Sequence, residues 1–230
     1  MRSLLEEPIF GIVLTLAAWQ AATILRQRTS SALANPVLLA AAGIVLLLMA
    51  ADIPYATYNA GARYISFLLG PAVVALAVPL YRYRHVLRRH GTALAGSVIA
   101  GGLVGIISAA GMAALLGATG ETVRSMAPKS VTTPIAIGIA GETGGLPSLT
   151  AAIVVLTGML GAVLGPPLLD ALGVRSAFAR GLALGAASHG IGTARAFEES
   201  EQTGALSSVA MVLNGVLTAA AVPWILPWLV

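Results

Sequence analysis

Pro128-Lys129-Ser130-Val131-Thr132-Thr133-Pro134 lies among apolar segments long enough to cross a bilayer, and it cannot continue them as ordinary helix. Each proline removes a backbone donor and restricts the residue before it, while two threonines and a serine weaken the helical ladder between them. Hydrocarbon offers no partner to the backbone groups set free. Irregular backbone at membrane depth is tolerated where protein or a water-filled cavity surrounds it, so this stretch reads as the wall or floor of a polar site. Ala187-Ser188-His189-Gly190-Ile191-Gly192-Thr193-Ala194-Arg195 poses the same problem downstream. The two stretches are expected to face each other near mid-membrane and to line one cavity.

The setting of these stretches follows from composition. Hydrophobic residues make up 57% of the chain and charged ones 10%, with a mean hydropathy of +0.89; an average soluble domain is about 25% charged. An integral membrane protein, multi-pass in the cytoplasmic membrane, is the reading. The net charge of +4 then speaks first to topology, because basic residues collect in cytoplasmic loops, and no nucleic-acid partner is inferred from it. There is no cysteine, which excludes disulfides and thiolate metal sites. Three histidines, two of them in one basic loop, form no ligand cluster, so neither a metal nor another cofactor is expected. No small-residue cleavage pattern ends the first apolar run, and no removable signal peptide is read.

Outward from the quoted stretch, the apolar runs are Pro8 to Leu25, Pro36 to Ile53, Ile65 to Tyr81, Thr92 to Ala118, Leu149 to Leu172 and Ala205 to Val230. Gly70-Pro71 and Pro79 should kink or break the third run. The fourth is rich in Gly, Ala and Ser and is expected to be a central packing helix. Arg26 and Arg28 mark one basic loop, and Arg82, Arg84, Arg88 and Arg89 another. With two crossings between them, both loops are expected in the cytoplasm and the N-terminus outside. Pro128 to Pro147 is too short for a full helix plus a loop, so either a broken crossing helix or a re-entrant hairpin is expected there. If both broken segments behave alike, the C-terminus is also outside. A broken segment followed by a small-residue helix occurs at Gly61 to Leu116 and again at Met126 to Leu172, which suggests an internal repeat of the kind found in secondary transporters. The fold class is therefore all-α: a polytopic membrane helical bundle with broken or re-entrant helices.

Four stretches carry a resemblance. They are Pro71-Ala72-Val73-Val74-Ala75-Leu76-Ala77-Val78-Pro79-Leu80-Tyr81, Pro128 to Ala136, Gly144-Gly145-Leu146-Pro147-Ser148, and Ala179-Arg180-Gly181-Leu182-Ala183 through Ser188-His189 to Thr193-Ala194-Arg195. In these the chain resembles the LrgB/CidB family over nearly its whole length, as a single LrgB-like domain at residues 1–230. The resemblance implies two readings. Some members are antiholin-like regulators of murein hydrolases and cell lysis that act with a small LrgA/CidA-type membrane protein. Others move small monocarboxylates: the plastidal glycolate/glycerate translocator has a similar domain, and some bacterial members are linked to pyruvate. The match loosens around Gly138 to Thr143, and no role is carried onto Glu142.

A short hydroxy- or keto-acid needs a positive partner and a few donors. Ser130, Thr132 and Thr133 offer hydroxyls at a half-helix N-terminus, whose free N–H groups and dipole suit a carboxylate. Lys129 adds a charge, or snorkels to the interface. In the second stretch Ser188 and Thr193 supply hydroxyls, and Arg195 offers a planar fork to an anion or neutralises Glu198 on the same helical face. His189 is a candidate for proton coupling, or holds two segments together by hydrogen bonds. Ser188 beside His189 is a poor nucleophile pair, since adjacent helical residues point apart, and no enzyme is expected. A carboxylate carrier, possible proton coupling included, ranks first, with homo-oligomeric assembly; the antiholin-like regulator is the alternative.

Overall fold

The computed structural model describes residues 7–29, 36–68, 71, 74–75 and 77–230. Every regular element among them is helical. They form two compact units, Met1–Ala77 and Val78–Val230. In the first unit, α1 (Ile9–Thr29) packs on α2 (Pro36–Ala50) and on α3 (Tyr55–Phe67). The α1–α3 crossing is as close as backbones permit: a side chain on Gly11 would overlap the Tyr58 carbonyl oxygen, and one on Gly61 that of Pro8. Thr15 Oγ1 and Tyr58 OH, 2.9 Å apart, satisfy each other in that contact. The kink expected at Gly70-Pro71 involves Gly70, Ala72 and Val73, which lie outside the described residues, as do Arg2 and Asn35.

The second unit opens with two short helices, α4 (Ala77–Arg82) and α5 (Arg84–Arg89). It continues through α6 (Gly91–Leu115), α7 (Gly120–Met126), α8 (Thr133–Thr143), α9 (Pro147–Ala171), α10 (Ala177–Glu199) and α11 (Glu201–Ile225), with a 3-10 turn at Leu226–Trp228. α1, α6, α9 and Glu201–Trp228 are each long and apolar enough to cross a membrane. Their outward faces carry Leu16, Ile107, Leu160, Leu164 and Val216 in the open, as lipid-facing surfaces do. The chain is a multi-pass membrane protein.

α10 does not cross. Arg180 and Glu199 are 19 positions apart, which in a straight helix means roughly 28 Å at 1.5 Å per residue. Instead Arg180 Nε and Nη2 each donate to a Glu199 carboxylate oxygen at 2.7 Å. The chain reverses at Ser188 (φ −134°, ψ 17°) and His189 (φ 42°, ψ −134°), so α10 is a helical hairpin with its tip inside the bundle. A positive φ at a histidine is sterically costly and persists only where surrounding contacts hold it.

α7 and α8 form a second hairpin through residues 127–132. The chain folds back on itself: Leu146 N–H, beyond the end of α8, donates to Ser125 Oγ in the last turn of α7 (2.7 Å), and Thr150 Oγ1 of α9 donates to the Ser125 carbonyl (3.1 Å). The hairpin tip reaches the middle of α6, where Ser130 Oγ lies against Gly105. Of the two arrangements left open by the sequence, Pro128 to Pro147 therefore adopts the re-entrant one. Pro134 stands in the first turn of α8, where its missing donor costs nothing, and Gly144 (φ 76°) closes that helix.

The hairpins enter from opposite ends. Arg82 pairs with Glu201 at 2.9 Å, and Arg180 with Asp170 and Glu199, so the α9–α10 and α10–α11 junctions gather with the basic loop. α6 leaves this basic end, and the α7–α8 hairpin hangs from the other. α9 returns to it, and α11 leaves again to end beside Gly120. The architecture repeats with inverted direction: α6 and α9 are both 25 residues long, each closes on a left-handed glycine (Gly117, φ 76°; Gly173, φ 70°), and each precedes a hairpin. The repeating units are thus α6 with α7–α8, and α9 with α10, offset from the pairing of Gly61 to Leu116 with Met126 to Leu172 read from the sequence. Composition alone could not register the two halves, because the break falls inside each unit.

The expectation that Thr92 to Ala118 is central needs correction. α6 buries one stripe, including Val98, Gly102 and Ile106, and leaves Gly96 and Gly111 with nothing opposite them. The centre is α10, packed between α9 and α11. Gly181 and Gly185 let it touch the α11 backbone at Thr203 and Ser207, where any larger residue would collide.

Candidate functional site

A cavity of about 670 Å³ lies within the second unit, between α6, the tip of the α7–α8 hairpin and the inbound leg of α10. It runs from Phe178 and Ala179, near the basic end, to Ala186 and Ala187 beside the α10 tip. On α6 its wall ends at Gly105. Beyond that level Ile106, Ala110, Val123, Val131 and Val154 form a buried apolar cluster toward the opposite end. The cavity thus approaches the middle of the bundle from one side only.

Lys129 and Ser130 close its inner end. Lys129 Nζ donates to Ser130 Oγ at 3.3 Å, and among the described residues no carboxylate stands within salt-bridge distance of it. A cation taken into the bundle without an anionic partner is energetically expensive, and the cavity beside it is where a partner can bind. Of the two broken stretches expected to line one cavity, only Lys129 and Ser130 of the first and Ala187 of the second do so, with Ala186 just ahead of it; Val131 to Pro134 and Ser188 to Arg195 do not.

The remaining expected site residues stand elsewhere. Thr132 is the N-cap of α8, its carbonyl accepting from Ala136 N–H at 2.9 Å, and Thr133 is the first residue of that helix. Ser188 is buried against Gly161, so tightly that a side chain there would overlap its Oγ. His189 Nε2 donates to the Val154 carbonyl at 2.9 Å, its ring seated on Gly158. Thr193 Oγ1 and Ser207 Oγ share a hydrogen bond of 2.9 Å beside Met211. Arg195 Nη1 lies 3.3 Å from Glu198 Oε2. None of these residues lines the cavity.

Two supports were not evident from the sequence. Asn214, fully buried in α11, donates from Nδ2 to the Ala186 carbonyl at 2.9 Å. That carbonyl's helical partner would be Gly190 N–H, which lies beyond the break, so Asn214 caps the inbound leg. A lone amide inside an apolar span is the signal for such a role. The other support is the Arg180 clamp, with a side chain only 11% exposed, which fastens both legs of α10 and the end of α9 at the basic end. Its members are scattered along the sequence and converge only through the reversal.

The model of the LrgB-like family matches residues 15–228. The chain is 42% identical to the uncharacterized protein YxaC of Bacillus subtilis, across 91% of each chain, and 37% identical to YwbG of the same organism across 96% of this chain and 98% of that one. It is 30% identical to the holin-like protein CidB of Staphylococcus epidermidis, across 94% of this chain and 95% of the relative. No solved structure matches. Aligned almost end to end with these proteins and with the family as a whole, the chain belongs to the LrgB-like family.

Proposed function

We propose that this protein is a secondary carrier of small monocarboxylates in the cytoplasmic membrane, with its basic end inside, and that it is not an enzyme. The observation that carries the reading is Lys129, a cation without an anionic partner among the described residues, held at the inner end of a cavity between two oppositely inserted hairpins. Inverted repeats with broken helices that meet at mid-depth are the usual frame of secondary transporters, since rocking one half against the other exposes the same site to each side in turn. In this reading a carboxylate enters from the basic end and pairs with Lys129 Nζ and Ser130 Oγ. Charge-assisted bonds of that kind are about twice as strong as neutral ones. Glycolate, glycerate and pyruvate are the acids to try first.

The second reading is a holin-like regulator of murein hydrolases and lysis, acting with a small LrgA/CidA-type partner and as a homo-oligomer. The name of the staphylococcal relatives supports it, and at the level of names it is better supported than transport. Uptake of radiolabelled glycolate, glycerate and pyruvate into proteoliposomes, with and without a pH gradient, separates the two. Saturable uptake lost in Lys129→Met supports the carrier. Absence of uptake of all three acids and of acetate and propionate, together with altered autolysis in cells lacking the protein, would establish the regulator instead.

A further inference from the structure

We infer that the cavity selects monocarboxylates with an unbranched alkyl tail over those of the same length that carry extra hydroxyls. This rests on the carrier reading and narrows its substrate class. The cavity has one polar pole. Lys129 and Ser130 sit together at its inner end, and among the described residues the only other side-chain hydroxyl on its wall is that of Ser97. The rest of the wall is glycine, alanine, Val104, Leu182 and Phe178. The backbone of the inbound leg is helical, and the Ala186 carbonyl, freed at the break, is taken by Asn214.

A carboxylate at Lys129 therefore directs the remainder of its molecule along the inbound leg toward Phe178, over apolar surface. From Ala187 to Phe178 that path is roughly 13 Å at helical rise, which accommodates more than a two- or three-carbon acid. A methylene placed there leaves water for an apolar wall. A hydroxyl placed there gives up its water and finds no fixed partner in return. One cation also sets the charge: among the described residues no second cation lines the cavity, so a short dicarboxylate held at Lys129 would leave its other carboxylate without a counter-ion.

The test is calorimetric titration of the protein in nanodiscs with acetate, propionate, butyrate and pentanoate, and separately with glycolate and glycerate. Affinity should rise about fourfold per methylene, equivalent to about 0.8 kcal/mol. Glycolate should bind more weakly than propionate, and glycerate more weakly than butyrate. Val104→Thr keeps the volume and sets a hydroxyl on the apolar wall, and should reduce the gain to about twofold per methylene. Three results overturn the inference. If glycolate and glycerate bind more tightly than the alkyl acids and lose binding in Lys129→Met, the tail preference is wrong and the carrier reading stands. A chain-length gain that persists unchanged in Lys129→Met is partition into lipid, and it removes the cavity from the argument. If no acid of either series binds and pyruvate does not bind, the carrier reading falls with the inference.

Discussion

The α7–α8 hairpin brings a lysine to its tip and leaves it facing a cavity, whereas the α10 hairpin brings a serine and a histidine to its tip and uses both against α9. Ser130 of the first tip touches Gly105 in the middle of α6, and Ser188 of the second touches Gly161 in the middle of α9, so the two are seated alike on helices of equal length. They differ in what is left over. The second tip is tied by His189 to the Val154 carbonyl and by Asn214 to the Ala186 carbonyl. The first retains Lys129, whose hydrogen bond to its own neighbour leaves two ammonium protons for a ligand.

The largest effect expected is all-or-none. Because the chain has no cysteine, single cysteines at Glu142, in the last turn of the first hairpin, and at Arg175, ahead of the second, can be read without background. An impermeant thiol reagent applied to intact cells should label the first and spare the second; labelling of both would abolish the opposed insertion.

Next in size is the clamp. Arg180→Ala strands a mostly buried Glu199, 15% exposed, and should cost about 3 kcal/mol. Thermal unfolding in detergent should drop accordingly, with protease cleavage appearing at the base of α10; Arg82→Ala, from a pair exposed on both sides, should shift the midpoint little. Lys129→Met keeps the length of the side chain and removes its charge. It should weaken carboxylate binding on the order of 30-fold, about 2 kcal/mol for one charge-assisted bond, and titration of the variant checks this.

The comparison can be sharpened at the second tip. His189→Gln retains an amide that can donate to the Val154 carbonyl, so it should cost about 1 kcal/mol or less and leave the pH profile of uptake in shape. A flattened profile would show that the imidazole itself takes up and releases the proton. Smallest of all, Arg195→Ala removes a partly exposed pair with Glu198 worth about 0.5 kcal/mol. Acid binding should be nearly that of the parent; a tenfold loss would return Arg195 to the binding site.

Hydropathy and breakers were sufficient to read a helical membrane protein, to mark breaks within residues 128–134 and 187–195, and to place Lys129 and Ser130 among the candidate site residues. These depend on composition and on the hydrogen-bonding needs of the backbone, which are local and hold wherever the chain lies. Whether each irregular stretch crosses or turns back is not local. It was decided by Arg180 meeting Glu199 and by Leu146 meeting Ser125, contacts between residues far apart in sequence. The same reversal decided which side chains reach the cavity. Helical spacing predicts a shared face while the helix lasts, and the backbone angles at Ser188 and His189 reset the phase, so Thr193 turns to Ser207 and Arg195 to Glu198. Residue types alone identified the polar stretches; only the tertiary structure assigned Ser188, His189 and Thr193 to packing and left Lys129 facing the cavity.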